Sequence, residues 1–557
     1  MTGICLLVFL FLSFFLKSKI TGSEILLDSR QYLTISYFLG KMDIFSCDMT
    51  WILNHDKRDS EKEHLEIDVP ESVKYAEHTV FPEPTALFEP VVPFVTGLWM
   101  KISLPLKEYV LNDFFAGDPA RTVKMVNLFW AFLLLCGVWT LSVEVLGLVS
   151  EKHEKKVFVL SAFSSFLVFF FLAGTRHIDR LLSEIPAMGL LVWATFFSVL
   201  SWKRREKKHF ILLGLTWGIL SLTKAIFFYI FPFFIFFMAA SMFFSSRSPV
   251  FLKNKKLNAA ATCVLISSLS LCLCVIPWMA RNYAKVSTFG ISDRGGEQIF
   301  LRTVKSDFVN KNFLGALYVW TPPEFRGGIG KLSGFSRKDL QKKGHLSPLN
   351  REKSDFNKQD SDYAAVGDVD NVITFYNKLW ACKRKIQLEI YEKSISAFEK
   401  GESDTILTNA EIIMETDKKL KEESIARIFQ DLPGHILSTI PFFYRGIWGI
   451  ADLGRMGPVI TLKPINRPDG YTEINGNIPG VVLRLVFFTL SFLSMVFLFV
   501  YGVLKNSFLV SFLLPVFLLM GVLAFLTNNL PRYNLCIFPI AAISLVTFFY
   551  SFYKKVL

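Results

Sequence analysis

Nowhere in the 557 residues do two cysteines stand at C-x-x-C spacing, which excludes the common type of cysteine metal centre. The eight cysteines are scattered. Cys136, Cys263, Cys272, Cys274 and Cys536 fall within apolar runs, where a thiol behaves as a small hydrophobe. Only Cys47 and Cys382 lie in long polar segments, and no spacing rule pairs them. There is no internal repeat and no low-complexity tract. The first apolar run, residues 3 to 16, has neither a basic leader nor an A-x-A site after it, so it reads as an uncleaved span.

What the chain has in abundance is apolar surface. With 52% hydrophobic residues and 57 Phe, it is a polytopic membrane protein of all-α type rather than a soluble core. Further spans of about the ~20 residues a bilayer requires are expected at 123–149, 157–174, 181–201, 210–224, 225–244, 259–277, 480–504, 508–526 and 534–552, about ten in all. The net charge of +13 then reports topology rather than a nucleic-acid partner. Alternate short loops, EKHEKK, WKRREKKH, SSRSPVFLKNKKLN, Lys505 and Lys554–Lys555, carry fifteen Lys and Arg. The opposite corners at TRHIDR, Lys224 and Pro531 to Tyr533 carry four, so the first set is cytoplasmic. Lys17 and Lys19 run against this bias, but the long loop they enter, 17–122, holds seventeen acids against eleven bases.

Three parts follow: a transmembrane module 1–277 with its outer loop 17–122, an outer region 278–479, and C-terminal spans 480–557. Within the outer region, 322–370 reads as polar loop and 371–430 as long helix with a solvated face.

Candidate chemistry gathers at the outer ends of the spans. Asp28, in LLDSRQYLTIS, is an acid at the mouth of the first span, where an ionised carboxylate must sit in water or in a protein cavity. In TRHIDRLLSEIPAMG, Arg176, Arg180 and Glu184 recur every four residues and are expected on one helical face, with an Arg180–Glu184 ion pair as the plain alternative. Lys224 stands between two apolar runs, where a snorkelling lysine is equally ordinary. Arg281 follows the span ending at Pro277, and Arg532 and Tyr533 sit at the edge of the last span. Two carboxylates and four cations on one side suit group transfer from a lipid phosphate. The phosphate leaves readily once cations stabilise it, while an acceptor hydroxyl needs a carboxylate base.

The ordered series LLDSRQYLTISYFLGK, FEPVVPFVTGLWMK, RLLSEIPAMGLLVWA, WGILSLTKAIFFYIFP, PWMARNYAKVSTFGISDRGGEQ and PRYNLCIFPI resembles bacterial GT-C glycosyltransferases of family 39 type, the protein O-mannosyltransferase and aminoarabinose transferase superfamily. The resemblance covers most of the chain except roughly 300–400. It implies transfer of a sugar, with inversion, from a polyprenyl-phosphate carrier to a lipid, glycan or protein acceptor on the periplasmic face of the inner membrane. By the same resemblance Asp28 is the general base and Glu184 the second acid, which positions the acceptor or meets a divalent metal ion. Lys224 contacts the donor phosphate, with Arg180, Arg281, Arg532, Tyr533 and Tyr32 as further substrate contacts. Here the family's LTRP-type corner reads Leu222, Thr223, Lys224, Ala225, keeping a cation but losing the bidentate Arg and the Pro. Asp28 is followed by Ser29 rather than a second acid, which weakens the case for a metal there, and carboxylates alone do not require one. The rival classes are a transporter or flippase of lipid-linked sugars, which would more often show inverted repeats, and an O-antigen ligase or polymerase type of enzyme, against which the early Asp28 argues.

Overall fold

A computed structural model describes residues 14–25, 28–47, 83–86, 88–149, 154–174, 176–244, 253–292, 294–321, 323–340, 344–350, 374–401, 407, 409–447, 463–466, 472–475, 478–505, 508–529 and 531–554. Most of the expected first span, 3–16, and part of the outer region, 351–373, lie outside the described residues, as do the side chains of Asp28, Arg176 and Arg532.

Among the described residues the regular structure is helical apart from two short antiparallel ladders, β1 (Ser46–Cys47) with β2 (Glu83–Pro84) and β3 (Lys463–Asn466) with β4 (Thr472–Asn475). The helices in order are α1 (Asp28–Met42), α2 (Val91–Ser103), α3 (Gly117–Lys124), α4 (Val126–Val149), α5 (Glu154–Gly174), α6 (Glu184–Arg204), α7 (Lys207–Ser221), α8 (Ile226–Phe244) and α9 (Lys253–Val286). There follow α10 (Gly295–Lys311), α11 (Phe313–Trp320), α12 (Pro323–Ser333), α13 (Ser347–Asn350), α14 (Phe375–Glu399), α15 (Asn409–Gln430) and α16 (Leu432–Ile447). The last three are α17 (Ile478–Leu504), α18 (Leu509–Leu526) and α19 (Phe538–Tyr553).

Among the described residues seven helical segments are long and apolar enough to cross a bilayer: Gly117–Val149, Lys155–Ala173, Glu184–Arg204, Ile226–Phe244, Leu257–Val286, Leu509–Leu526 and Tyr533–Tyr553. The expected short pair at 210–244 is two helices, α7 and α8, and α7 has 15 residues. Pro277 does not end its helix. The chain stays helical through it to Val286, which carries Arg281 on the last turns of α9. The polar stretch after 322 is partly ordered as α12, a 3-10 turn at Arg337–Leu340 and α13, and the predicted long helix of 371–430 is two helices, α14 and α15.

Phe is abundant because it does two jobs. Facing inward, rings fill the spaces between spans: Trp217 stacks on Phe234 at 4.6 Å and Phe171 on Phe538 at 4.0 Å. On the outside, Phe163, Phe233 and Phe236 are exposed along their helices, as a lipid-facing surface requires. Where spans touch closely, glycine replaces bulk. Gly214 and Gly218 form a small-x-x-x-small stripe on α7 that packs on α9, where an added Cβ at Gly214 would strike the Ser267 carbonyl and one at Gly218 would lie 2.7 Å from Cys274 Cβ. Gly214→Val should therefore lower stability in detergent by about 1–3 kcal/mol, read as a fall in Tm, because backbone must move to admit the side chain.

A second core, built from Phe300, Leu301, Val309, Leu379, Ile386, Leu420 and Phe442, belongs to α10–α16 and includes Ala524 of α18. This helical unit is thereby seated on the end of a span.

Candidate functional site

Chain direction puts the candidate residues at one end of the bundle. The spans α6, α8 and α19 begin there, and the spans α9 and α18 and the shorter helix α7 finish there. The basic loops around Lys203, Lys207, Lys505 and Lys554 lie at the other end.

Asp28 is the first residue of α1, and its side chain is outside the described part of the structure. One turn further on, Tyr32 packs edge to face on Phe88 with ring centroids 5.1 Å apart. Phe88 precedes Glu89, and α1 packs along α2, with Gly97 Cβ space filled by the Ser36 carbonyl. Glu89 Oε1 accepts from the Ala225 N–H at 2.9 Å, and the Val91 N–H donates to the Leu222 carbonyl at 3.2 Å. Two hydrogen bonds therefore dock the FEPVV segment on the Lys224 corner. Burial pushes the Glu89 carboxyl above the usual carboxylate range, against the Ala225 N–H and the charges of Lys224 and Arg294, which pull it down. The Arg294 guanidinium also lies over the Phe88 ring at 5.1 Å.

Glu184 opens α6 and is only 6% exposed, with Oε2 buried and lacking a hydrogen-bond partner among the described residues. Its charge and that of Lys224 both act on the buried Cys536 thiol in the turn at Pro531–Ile537, so the acid and the cation lie near the same turn. Lys224 Nζ lies 5.4 Å from the Tyr533 ring centroid, and the Tyr533 hydroxyl donates to Gln298 Oε1 at 3.2 Å. The start of α10 is held in turn from outside: Asp417 on α15 accepts from the Gly296 and Glu297 N–H groups, and Lys383 pairs with Glu297 at 2.7 Å.

The structure thus brings together Glu184, Lys224, Tyr533 and, through Phe88, Tyr32. It also brings in Glu89 and Arg294, which the sequence reading passed over although both lie in quoted motifs. The available signal was an acid inside the otherwise apolar FEPVVPF.

Two expectations are revised. Arg176, Arg180 and Glu184 do not share a helical face, because 176–179 is a 3-10 turn and the α-helix starts only at Glu184, with Pro186 in its first turn, where proline is favoured. The Arg180 side chain is exposed, and its carbonyl accepts from Asn127 Nδ2. Arg281 has its described contacts elsewhere. Its guanidinium donates to the carbonyls of Thr85 and Phe45 at 2.7 Å each and covers the rings of Phe45 and Trp278, bracing the β1–β2 ladder against α9.

A polar latch, unseen in the sequence, fixes the approach to α1. Asp179 accepts from the Thr21 N–H and hydroxyl and the Ser23 hydroxyl at 2.6–2.9 Å, and pairs with Lys124 at 3.3 Å. Lys124, 1% exposed, also donates to the carbonyls of Thr21 and Ser23. The segment 21–25, which leads to Asp28, is thereby tied to the corner that leads to Glu184. Asp179→Ala leaves a buried ammonium short of its carboxylate, so we expect a loss of about 2–4 kcal/mol, measured as a lowered Tm, with Asp179→Asn losing less.

No group of three or more His, Cys, Asp or Glu suited to a metal ion occurs among the described residues.

No protein-family model matches the chain, and no curated protein sequence matches it. Solved structures do. AglB, an archaeal oligosaccharyltransferase from Archaeoglobus fulgidus solved with an inhibitory peptide and a dolichol-phosphate, overlays with a TM-score of 0.43 at 13% identity, covering 99% of this chain and 50% of its own. An apo oligosaccharyltransferase of the same organism gives 0.39 at 14% identity, covering 94% of this chain and 50% of its own. ArnT from Cupriavidus metallidurans in the apo state gives 0.32 at 11% identity, covering 98% and 78%. The chain spans about half the length of the two oligosaccharyltransferases.

Proposed function

We propose that this protein is a membrane glycosyltransferase that transfers a sugar from a polyprenyl-phosphate carrier to an acceptor hydroxyl at the outer face of the membrane, with inversion. The observation that carries the reading is the convergence of Glu89, Glu184, Lys224 and Arg294 at the end of the bundle opposite the basic loops. Ionisable residues gathered at the ends of membrane spans face water or a protein cavity and often mark a substrate path.

In the proposed reaction Asp28 takes the proton of the acceptor hydroxyl as its oxygen forms a bond to the anomeric carbon. The bond from that carbon to the phosphate oxygen breaks on the opposite face, and polyprenyl phosphate leaves with the electron pair. Lys224, with Arg294 beside it, stabilises the departing phosphate. Glu184 orients the acceptor. Glu89, hydrogen-bonded to Ala225, holds the Lys224 corner in place. The anomeric configuration of the product, read by NMR on material made from a β-linked polyprenyl-phosphate sugar, should be α; retention would sink the single-displacement scheme.

Replacing the phosphate's cation should act on donor binding. Lys224→Ala removes one charge-assisted contact of about 1.5–3 kcal/mol. The expected result is a roughly 10–100-fold higher donor KM, with Lys224→Arg recovering most of it. An unchanged donor KM would remove Lys224 from the phosphate site.

A further inference from the structure

Helix α16 carries a feature that the transfer reaction does not use. Its buried face is polar and tightly bonded. His435 pairs through Nε2 with the Phe525 carbonyl at 2.8 Å and meets the Phe525 ring edge on. Arg302 of α10, fully buried, donates to the Ala524 carbonyl, to Ser306, to the His435 carbonyl and to the hydroxyls of Ser438 and Thr439, and lies 3.9 Å over the Phe442 ring. Asn529 Nδ2 donates to the Phe442 carbonyl, and Arg445 donates to the Asn528 carbonyl and side chain.

Among the described residues the opposite face is apolar and uncovered. Phe429 at the end of α15 is 74% exposed, and Ile436 and Ile440 on α16 are 55% and 57% exposed, with Leu432 and Leu437 beside them. These residues recur at helical spacing, and no Asp, Glu, Lys or Arg stands between Leu432 and Tyr444. This is the reverse of a soluble surface helix, which buries its apolar side.

The hydrogen bonds fix the level at which this face lies. From His435 to Arg445 the helix advances about 15 Å, and its hydrogen bonds to α18 and the chain just after it fall within residues 525–529. The helix is therefore held at the end of a membrane span. An uncharged apolar face at the boundary of a bilayer suits an interfacial helix.

We infer that α16 is a monotopic element, seated with Phe429, Leu432, Ile436 and Ile440 in the acyl chains of the leaflet at the site end of the bundle. Its occupant is membrane lipid. Through Arg302 the bilayer then fixes the position of α10, whose first turn carries Gln298 against Tyr533. This inference stands apart from the transfer chemistry and is tested without it.

The test is collision spectroscopy on the full chain in phosphatidylcholine nanodiscs. Nitroxides are placed by Ile436→Cys and, as a second position, Phe429→Cys, and labelled wild type is subtracted for its own cysteines. Glu422→Cys on α15 serves as the water-facing reference. Spin labels at 436 and 429 should collide with oxygen severalfold more than with a water-soluble nickel chelate, and the label at 422 should show the opposite ratio. A nickel-dominated signal at both 436 and 429 would place the face in water, and low collision with both probes would place it against protein. Either result overturns the inference.

Discussion

Asp28→Asn should abolish sugar transfer while leaving the protein folded. The exchange is nearly isosteric and removes only the basicity of the side chain. General-base catalysis is worth about 10²–10⁴-fold, so the variant should fall to that extent in kcat. Donor KM should stay near the wild-type value, because the phosphate contacts are supplied by other residues. The backbone position supports this role: α1 starts at residue 28, α1 is pinned to α2, and Tyr32, one turn on, touches the Phe88–Glu89 segment that docks on the Lys224 corner. The measurement is transfer by membranes at matched expression, paired with Tm of the purified variant. Equal transfer in both proteins would remove Asp28 from catalysis.

The second large effect is expected at Glu184, and its sign for stability is opposite to its sign for activity. A buried carboxylate oxygen without a partner costs about 1–3 kcal/mol. Folds retain such a group where it acts on a ligand, and stability then rises when it is removed. Glu184→Gln should lower transfer by about 10²–10³-fold, comparable with the loss of one preorganised electrostatic contact. Glu184→Met, which fills the same volume with hydrocarbon, should be equally inactive yet unfold at a higher temperature than wild type. A variant that loses activity and stability together would mark Glu184 as a structural residue at the head of α6.

Much of the architecture was legible in the chain, because spans announce themselves by length and apolarity. The spans expected at 157–174, 225–244 and 508–526 coincide with helices to within a few residues. The exceptions have physical causes. Pro277 was read as an end, but proline in a membrane helix is tolerated when neighbouring helices shield the freed carbonyl, and α9 runs on. Spacing of four between Arg176, Arg180 and Glu184 suggested one helical face, but spacing carries no information about where a helix starts, and the N-terminus at Glu184 breaks the pattern.

The site was legible in part. Glu184 and Lys224 stood out as charges at the mouths of apolar runs, and the fold brings both to Cys536. Glu89 and Arg294 did not, because their significance lies in partners far along the chain: Glu89 bonds to Ala225, and Arg294 covers Phe88. The same holds for the Asp179 latch, which joins residues more than a hundred positions apart. Arg281 illustrates the converse. A cation at a span end resembles a phosphate ligand in sequence, and its guanidinium here donates to the carbonyls of Thr85 and Phe45 and to Asn282 Oδ1.

The most direct experiment supplies purified protein in liposomes with a polyprenyl-phosphate sugar labelled in the sugar and a mixed pool of lipid, glycan and peptide acceptors. Label should move to an acceptor with stoichiometric release of polyprenyl phosphate. Label that instead crosses the bilayer still attached to its carrier, with no acceptor modified, would contradict a transferase and identify a transporter of lipid-linked sugars.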